Sequence, residues 1–237
     1  MLKKILFITG LFFCLIIINV TAQIKTELIL RHNIGIGLVY NTLKFSNPQG
    51  SGEMIYSPGG GMGIEVGLGF SLNKNIEVYG TMGYHQNLAL NSHTSNMRTD
   101  RTSFSFNRKT FLFGANYQFR FTEGGRTGLK FGGGGSYNIP GTMSITELNV
   151  PRGNFRYGSE FGFHFETGFF HEFKKFAMVY SARYRHLNFD FTGYRQVNNF
   201  SSSLYFLTPG NSLSSFRYRS LNASGIDISI TFRIKLN

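Results

Sequence analysis

From residue 226 to residue 236 the chain alternates without a slip. Ile226, Ile228, Ile230, Phe232, Ile234 and Leu236 are apolar, and Asp227, Ser229, Thr231, Arg233 and Lys235 between them are polar. A helix would spread those charges around its circumference, whereas a strand sends them all to one face. The segment therefore predicts a β-strand with one greasy face and one charged face. The same period governs a glycine-rich run at 59–70, where Met62, Ile64, Val66, Leu68 and Phe70 alternate with Gly63, Glu65, Gly67 and Gly69. Gly61 and Gly63 begin a G-x-G-x-x-G fingerprint, but position 66 is Val and no helix pattern follows. The run reads as a strand, not as a phosphate loop.

Eight segments obey the rule, at about 27–41, 59–70, 75–88, 109–121, 127–139, 155–173, 176–188 and from as early as 216 to 236. Their connections alternate in length. Three are short, at Leu72-Asn73-Lys74, Glu123-Gly124-Gly125 and Lys174-Lys175, and four are long, at about 42–60, 89–108, 140–154 and 189–215. The 29 glycines, 26 phenylalanines and 12 tyrosines argue against disorder, which is poor in aromatics. Past residue 22 no uninterrupted apolar run is long enough for a membrane helix, and mean hydropathy is −0.11. Both facts suit a membrane strand, in which only every second residue meets lipid. The predicted fold is all-β: an eight-stranded antiparallel up-and-down transmembrane β-barrel with short periplasmic turns and long extracellular loops. Phe70, Phe119, Phe121, Phe173 and Phe176 would mark one lipid–water boundary, and Tyr40, Tyr84, Tyr137, Tyr157, Tyr184 and Tyr218 the other. The rival is a soluble lipocalin-like barrel with the faces reversed, which would leave the inner-face glycines hard to explain.

Residues 1–22 read as a cleaved secretory signal, with Lys3 and Lys4 before the apolar run ILFITGLFFCLIIINV and small residues at Val20 and Ala22. That run is too short for a spanning anchor, and Phe13 is wrong for a lipidated Cys14. The mature chain, 23–237, then forms one barrel domain without cysteine, hence without disulfide or thiolate zinc site. Its formal charge is +12 less Lys3 and Lys4, or +10. For an exported chain this points to anionic lipid or polysaccharide as partner, not nucleic acid.

An eight-stranded barrel has room inside for side chains only. The inward positions are expected to hold Glu27, Glu65, Glu77, Glu160, Glu166 and Asp227 against Arg31, Arg120, Lys130, Arg156, Arg183, Arg185, Arg233 and Lys235, with His164 among them. Groups cut off from water must pair, so these residues predict a salt-bridge network. Inward glycines at 35, 37, 63, 67, 69, 132, 134, 158 and 162 would make room for it. The network is expected to be a structural filling rather than a narrow polar conduit. No histidine pair has metal-ligand spacing, and no cofactor is expected. Glu160, His164 and Glu166 share an inner face and invite a metal or proton relay, but a structural role is the simpler reading. His93-Thr94-Ser95 lies in a polar loop. His32 falls among lipid-facing residues, so either a bulge turns it inward or a neighbouring chain covers it.

The alternating strands, the loop rhythm and the export signal resemble the small outer-membrane barrel family that includes OmpX and the membrane part of OmpA. That resemblance covers the mature chain and implies insertion by the barrel-assembly machinery in a Gram-negative outer membrane. Members commonly end in an aromatic residue used in assembly. Here the chain ends Ile234-Lys235-Leu236-Asn237, and Phe232 is the nearest aromatic. The segment 182–193, ARYRHLNFDFTG, is loosely similar to the lipid A deacylases, which carry a His-x-Ser pair on a lipid-facing strand. Asn188 stands where the serine hydroxyl would be, two residues after His186, and an amide cannot replace that nucleophile. The expectation is a non-enzymatic surface platform that meets lipopolysaccharide or extracellular partners through its loops. The alternative is a conduit for small or apolar solutes, as in OmpW-like barrels; a lipid A-modifying enzyme comes third.

Overall fold

A strand that is apolar on one face needs neighbours on both edges, and a closed ring is the arrangement that leaves no edge unpaired. The computed structural model, which describes residues 25–39, 41–47, 50–87, 102–147, 150–196 and 220–236, shows such a ring. Its strands are β1 (Lys25–Gly37), β4 (Gly61–Ser71), β5 (Ile76–Gln86), β7 (Asn107–Arg120), β8 (Thr127–Pro140), β11 (Glu160–Glu172), β12 (Phe176–His186) and β15 (Gly225–Lys235). They close in the order β1-β15-β12-β11-β8-β7-β5-β4, every neighbour antiparallel. Residues 1–22, expected to be a signal, Tyr40, the His93-Thr94-Ser95 triplet, Tyr218 and Asn237 lie outside the described residues.

At one end the turns are tight and built from local hydrogen bonds. The side-chain oxygen of Asn73 accepts from the backbone N–H of Asn75 (2.8 Å) and Ile76 (2.7 Å), folding β4 back onto β5. Gly124 takes φ +70°, a left-handed turn position that favours glycine. Phe173 N–H donates to the Phe176 carbonyl at 2.7 Å to close the turn between β11 and β12.

At the other end the long links are themselves sheet. The first forms the hairpin β2 (Asn41–Asn47) and β3 (Gly50–Tyr56). The other three contribute β6 (Thr102–Ser105), β9 (Met143–Glu147), β10 (Val150–Tyr157), β13 (Asn188–Gln196) and β14 (Ser220–Asn222), which join in the order β14-β13-β10-β9-β6. The sixth segment expected from the sequence, 155–173, is therefore two strands. β10 leaves the wall at Gly158 and Ser159 to pair with β13, with a register shift between Arg156 and Tyr157. The last wall strand begins at Gly225, because Ser220–Asn222 belongs to the outer sheet.

The faces sort as a membrane requires. Ile64 is 63% exposed, Phe113 55%, Phe161 73%, Phe165 62% and Ile228 55%, while Arg31, Glu65, Glu166, Arg183 and Asp227 lie inside. A continuous apolar exterior of this kind is unlike a soluble surface and excludes the lipocalin-like alternative. The aromatic bands run as expected at the turn end, where Phe173 stacks on Phe176 with centroids 4.4 Å apart. At the other end Tyr84, Tyr137 and Tyr184 keep the band, but Tyr157 is buried beneath the outer sheet. His32 is exposed on the same exterior. The register around it is unbroken, Arg31 facing Thr231, His32 facing Ile230 and Asn33 facing Ser229, so no bulge turns it inward.

The exterior generates a direct expectation. Ile230 sits mid-strand on the apolar face, and Ile230→Arg should destabilise the barrel in lipid by roughly 2–4 kcal/mol. Urea titration in vesicles measures this; a near-neutral change would mean that the face meets water.

Candidate functional site in the barrel lumen

Every second side chain of the wall points inward, and the longest of these are ionic. Seven residues form one alternating chain: Lys130, Glu166, Arg31, Glu65, Arg183, Asp227 and Arg185. Lys130 lies 3.8 Å from Glu166, and Arg31 bridges Glu166 at 3.0 Å and Glu65 at 3.1 Å. Arg183 holds Glu65 directly and Asp227 at 3.0 Å, and Arg185 reaches Asp227 at 2.5 Å. Neutral groups fill the gaps: Thr231 accepts from Arg31 Nε at 3.0 Å, and Asn33 donates to Glu65 at 3.1 Å. A second set lies nearer the turn end, where Arg233 holds Glu77 directly and Glu27 at 2.9 Å. Asn116 and Gln118 also donate to Glu77, at 3.2 and 3.3 Å.

Burial decides what these pairs are worth. Arg31, Glu65, Glu166, Arg183, Asp227 and Arg233 are all buried. Their attraction is therefore poorly screened, and each side chain depends on its partners to offset desolvation. At the solvated rim Arg120 meets Glu172 at 2.5 Å and Lys235 meets it at 3.3 Å, with roughly a quarter of each side chain exposed. Exposed pairs of that kind contribute little.

Glycines seat the network. A Cβ at Gly35 would come within 2.8 Å of Asp227 Oδ1, one at Gly69 within 2.8 Å of Arg233 Nη2, and one at Gly83 within 2.7 Å of Glu65 Cγ. They make room for neighbouring side chains.

Most residues expected inside the lumen meet there, and two do not join. Arg156 is exposed, a correction to the inward placement. The bulge beside Tyr157 turns it away while Phe155 and Tyr157 go under the outer sheet. Glu160 points inward but sits half-buried at the outer end of β11, opposite Asn138. His164 and Glu166 do not cooperate as a relay. His164 Nε2 and the Tyr79 hydroxyl share a hydrogen bond of 2.5 Å, while Glu166 is engaged by Arg31 and Lys130. Among the described residues no group of three His, Cys, Asp or Glu is arranged to hold a metal. His186 is outward and stacks on Phe163 at 4.8 Å, and Asn188 is also exposed but begins the outer strand β13.

Among the described residues, inward titratable side chains outside the expected set include Tyr79, His85, Arg108 and Glu172. Each lies on the inward parity of its strand. Arg108 fell one residue before the expected start of its strand; extending the alternation by one step finds it.

The outer mouth is closed by a different material. Phe106, Leu187, Phe189, Leu221 and Ala223 are each 0% exposed and form an apolar plug between barrel and outer sheet. Phe106 packs against Phe189 and Tyr157 with centroids 5.8 and 6.4 Å apart. The plug is tied to the network, since Arg185 Nη2 donates to Gly59 O at 2.8 Å and Asn87 Nδ2 to Gly60 O at 2.8 Å. The turn end instead opens into a cavity of about 870 Å³ that reaches Lys130, Val179 and Arg233.

Glu65→Gln should strand Arg31 and Arg183 and lower stability by roughly 3–5 kcal/mol. Glu172→Gln at the rim should cost about 1 kcal/mol or less. Equilibrium unfolding of both variants in one lipid system makes the comparison; equal losses would refute a buried network.

No family model and no curated relative matches the chain. Among solved structures it is similar to OprG of Pseudomonas aeruginosa, with TM-score 0.51 and 9% identity over 90% of this chain and 96% of that one. Neisserial surface protein A gives 0.45 and 12% over 91% and 98%. Ail of Yersinia pestis gives 0.44 and 8% over 91% and 100%. Identities this low speak to fold alone. In fold, the chain is a closed eight-stranded antiparallel β-barrel like that of the outer-membrane protein OprG.

Proposed function

We propose that the chain is a non-enzymatic, non-conducting platform that holds a folded outer sheet at the cell surface. The observation that carries this reading is the plugged outer mouth: Phe106, Leu187, Phe189 and Leu221 fill the place where a conduit would open. Below them the alternating ionic chain crosses the lumen and gives each charge a partner. Links between wall strands commonly carry recognition, and here they are braced against the barrel. Lys109, exposed beside Tyr84 at the outer end of the wall, and Arg156, exposed on β10, suit the anionic groups of lipopolysaccharide. Export through residues 1–22 and insertion by the barrel-assembly machinery belong to the same reading. Phe232, outward and 44% exposed, is the last aromatic of β15.

One feature favours a conduit over part of its length, the cavity at the turn end. Planar-bilayer recording separates the readings. The purified barrel should give no large steady conductance, and Lys109→Glu combined with Arg156→Glu should weaken binding of lipopolysaccharide micelles while the barrel still folds. Reproducible open-channel currents abolished by Arg31 or Glu65 substitutions would overturn the platform.

A further inference from the structure

Among the described residues six basic side chains are buried in the lumen, and five of them pair with four buried acids and the half-buried Glu27. Arg31, Lys130, Arg183, Arg185 and Arg233 stand against Glu27, Glu65, Glu77, Glu166 and Asp227, five against five, each in an ion pair. Arg108 is left over. It is 2% exposed, makes none of the ion pairs among the described residues, and its Nε and Nη1 have no hydrogen-bond partner. A guanidinium cannot shed its proton in a protein, so this charge must be neutralised from outside.

The space beside it has the size and sign for an ion. Arg108 borders a small cavity of about 20 Å³, together with Arg183, Arg185, His85, Asn33 and Thr110. That volume holds one water-sized sphere and excludes phosphate or an organic acid. Three guanidinium groups meet there, and the one acid on its wall, Glu65, is already held by Arg31, Arg183 and Asn33. Asp227, an inward acid at this end, is taken up by Arg183 and Arg185, and Glu160, half-buried there, forms no ion pair with Arg108. A water molecule would accept one N–H but leave the charge in place.

We propose that this cavity binds one halide ion, chloride under physiological conditions, as the counter-ion of Arg108. The ion completes the charge balance directly under the plug, where Arg185 is anchored to Gly59 O and His85 Nε2 meets Gly60 O at 3.1 Å. The site stands independently of the platform reading, since a conduit with the same cavity would hold the same ion.

The test uses the mature full-length barrel in detergent micelles. Its Tm should rise saturably with sodium chloride or bromide and not with sodium gluconate at matched ionic strength. Crystals grown in bromide should show an anomalous peak beside the Arg108 guanidinium. Arg108→Met should abolish the halide dependence and, in gluconate, should melt no lower than the parent chain. Equal Tm in chloride and gluconate would overturn the proposal, as would a bromide-soaked crystal with no peak in the cavity. If Arg108→Met fails to fold, the bromide peak in the parent chain decides alone.

Discussion

Charged side chains inside a narrow barrel cannot be left to water, and the rest of this structure follows from that constraint. A guanidinium withdrawn from solvent needs two or three acceptors in fixed positions. Here they come from strands remote in sequence. Arg31 on β1 meets Glu65 on β4 and Glu166 on β11, so one side chain ties together opposite parts of the ring. The wall must be thin where these long groups cross it, and Gly35, Gly69 and Gly83 supply the thin places. Glycine is a poor strand former when judged alone. In this wall each of these glycines is the seat of a neighbour's charged or polar atom.

The outer face obeys a simpler rule, because lipid accepts any apolar shape. That tolerance explains how Ile, Val, Met, Phe and Tyr are scattered over the exterior without tight mutual packing. Aromatic pairs gather toward both boundaries, Phe119, Phe121, Phe169, Phe173 and Phe176 at the turn end and Tyr137, Phe161, Phe163 and Tyr184 toward the other. His32 is the exception that chain geometry imposes. With Arg31 and Asn33 both required inside, the residue between them has nowhere to point but outward.

Period two made the wall legible from the amino-acid sequence, including the short turns and nearly all of the ionic interior. It could not say what an apolar face would meet. Phe189 and Phe191 alternate with Asp190 and Thr192 as regularly as any wall strand, yet Phe189 is fully buried in the plug. By the same alternation Phe155 and Tyr157 continue β11 and put Arg156 inside, whereas the bulge puts it outside. Alternation reports one face excluded from water, whether by lipid or by protein. Partner identity was equally illegible, since the pairing of Arg183 with both Glu65 and Asp227 depends on strand order around the ring.

The two ends of the lumen are finished in different ways, and the difference has a physical origin. At the turn end the links are too short to fold over the opening, so the ionic groups there stay partly solvated and the cavity remains open. At the other end the links are long enough to build sheet. Sheet with one apolar face must bury that face, and the mouth of the barrel is the nearest surface it can cover. Once Leu187, Phe189 and Leu221 pack there, the top of the ionic chain is cut off from water. The acceptors that Arg185 loses are replaced by carbonyls of the covering segments, Gly59 and Ala223. Plug and network therefore require each other: without the plug the upper arginines could remain hydrated, and without the charges below them Gly59 and Ala223 would lose those donors.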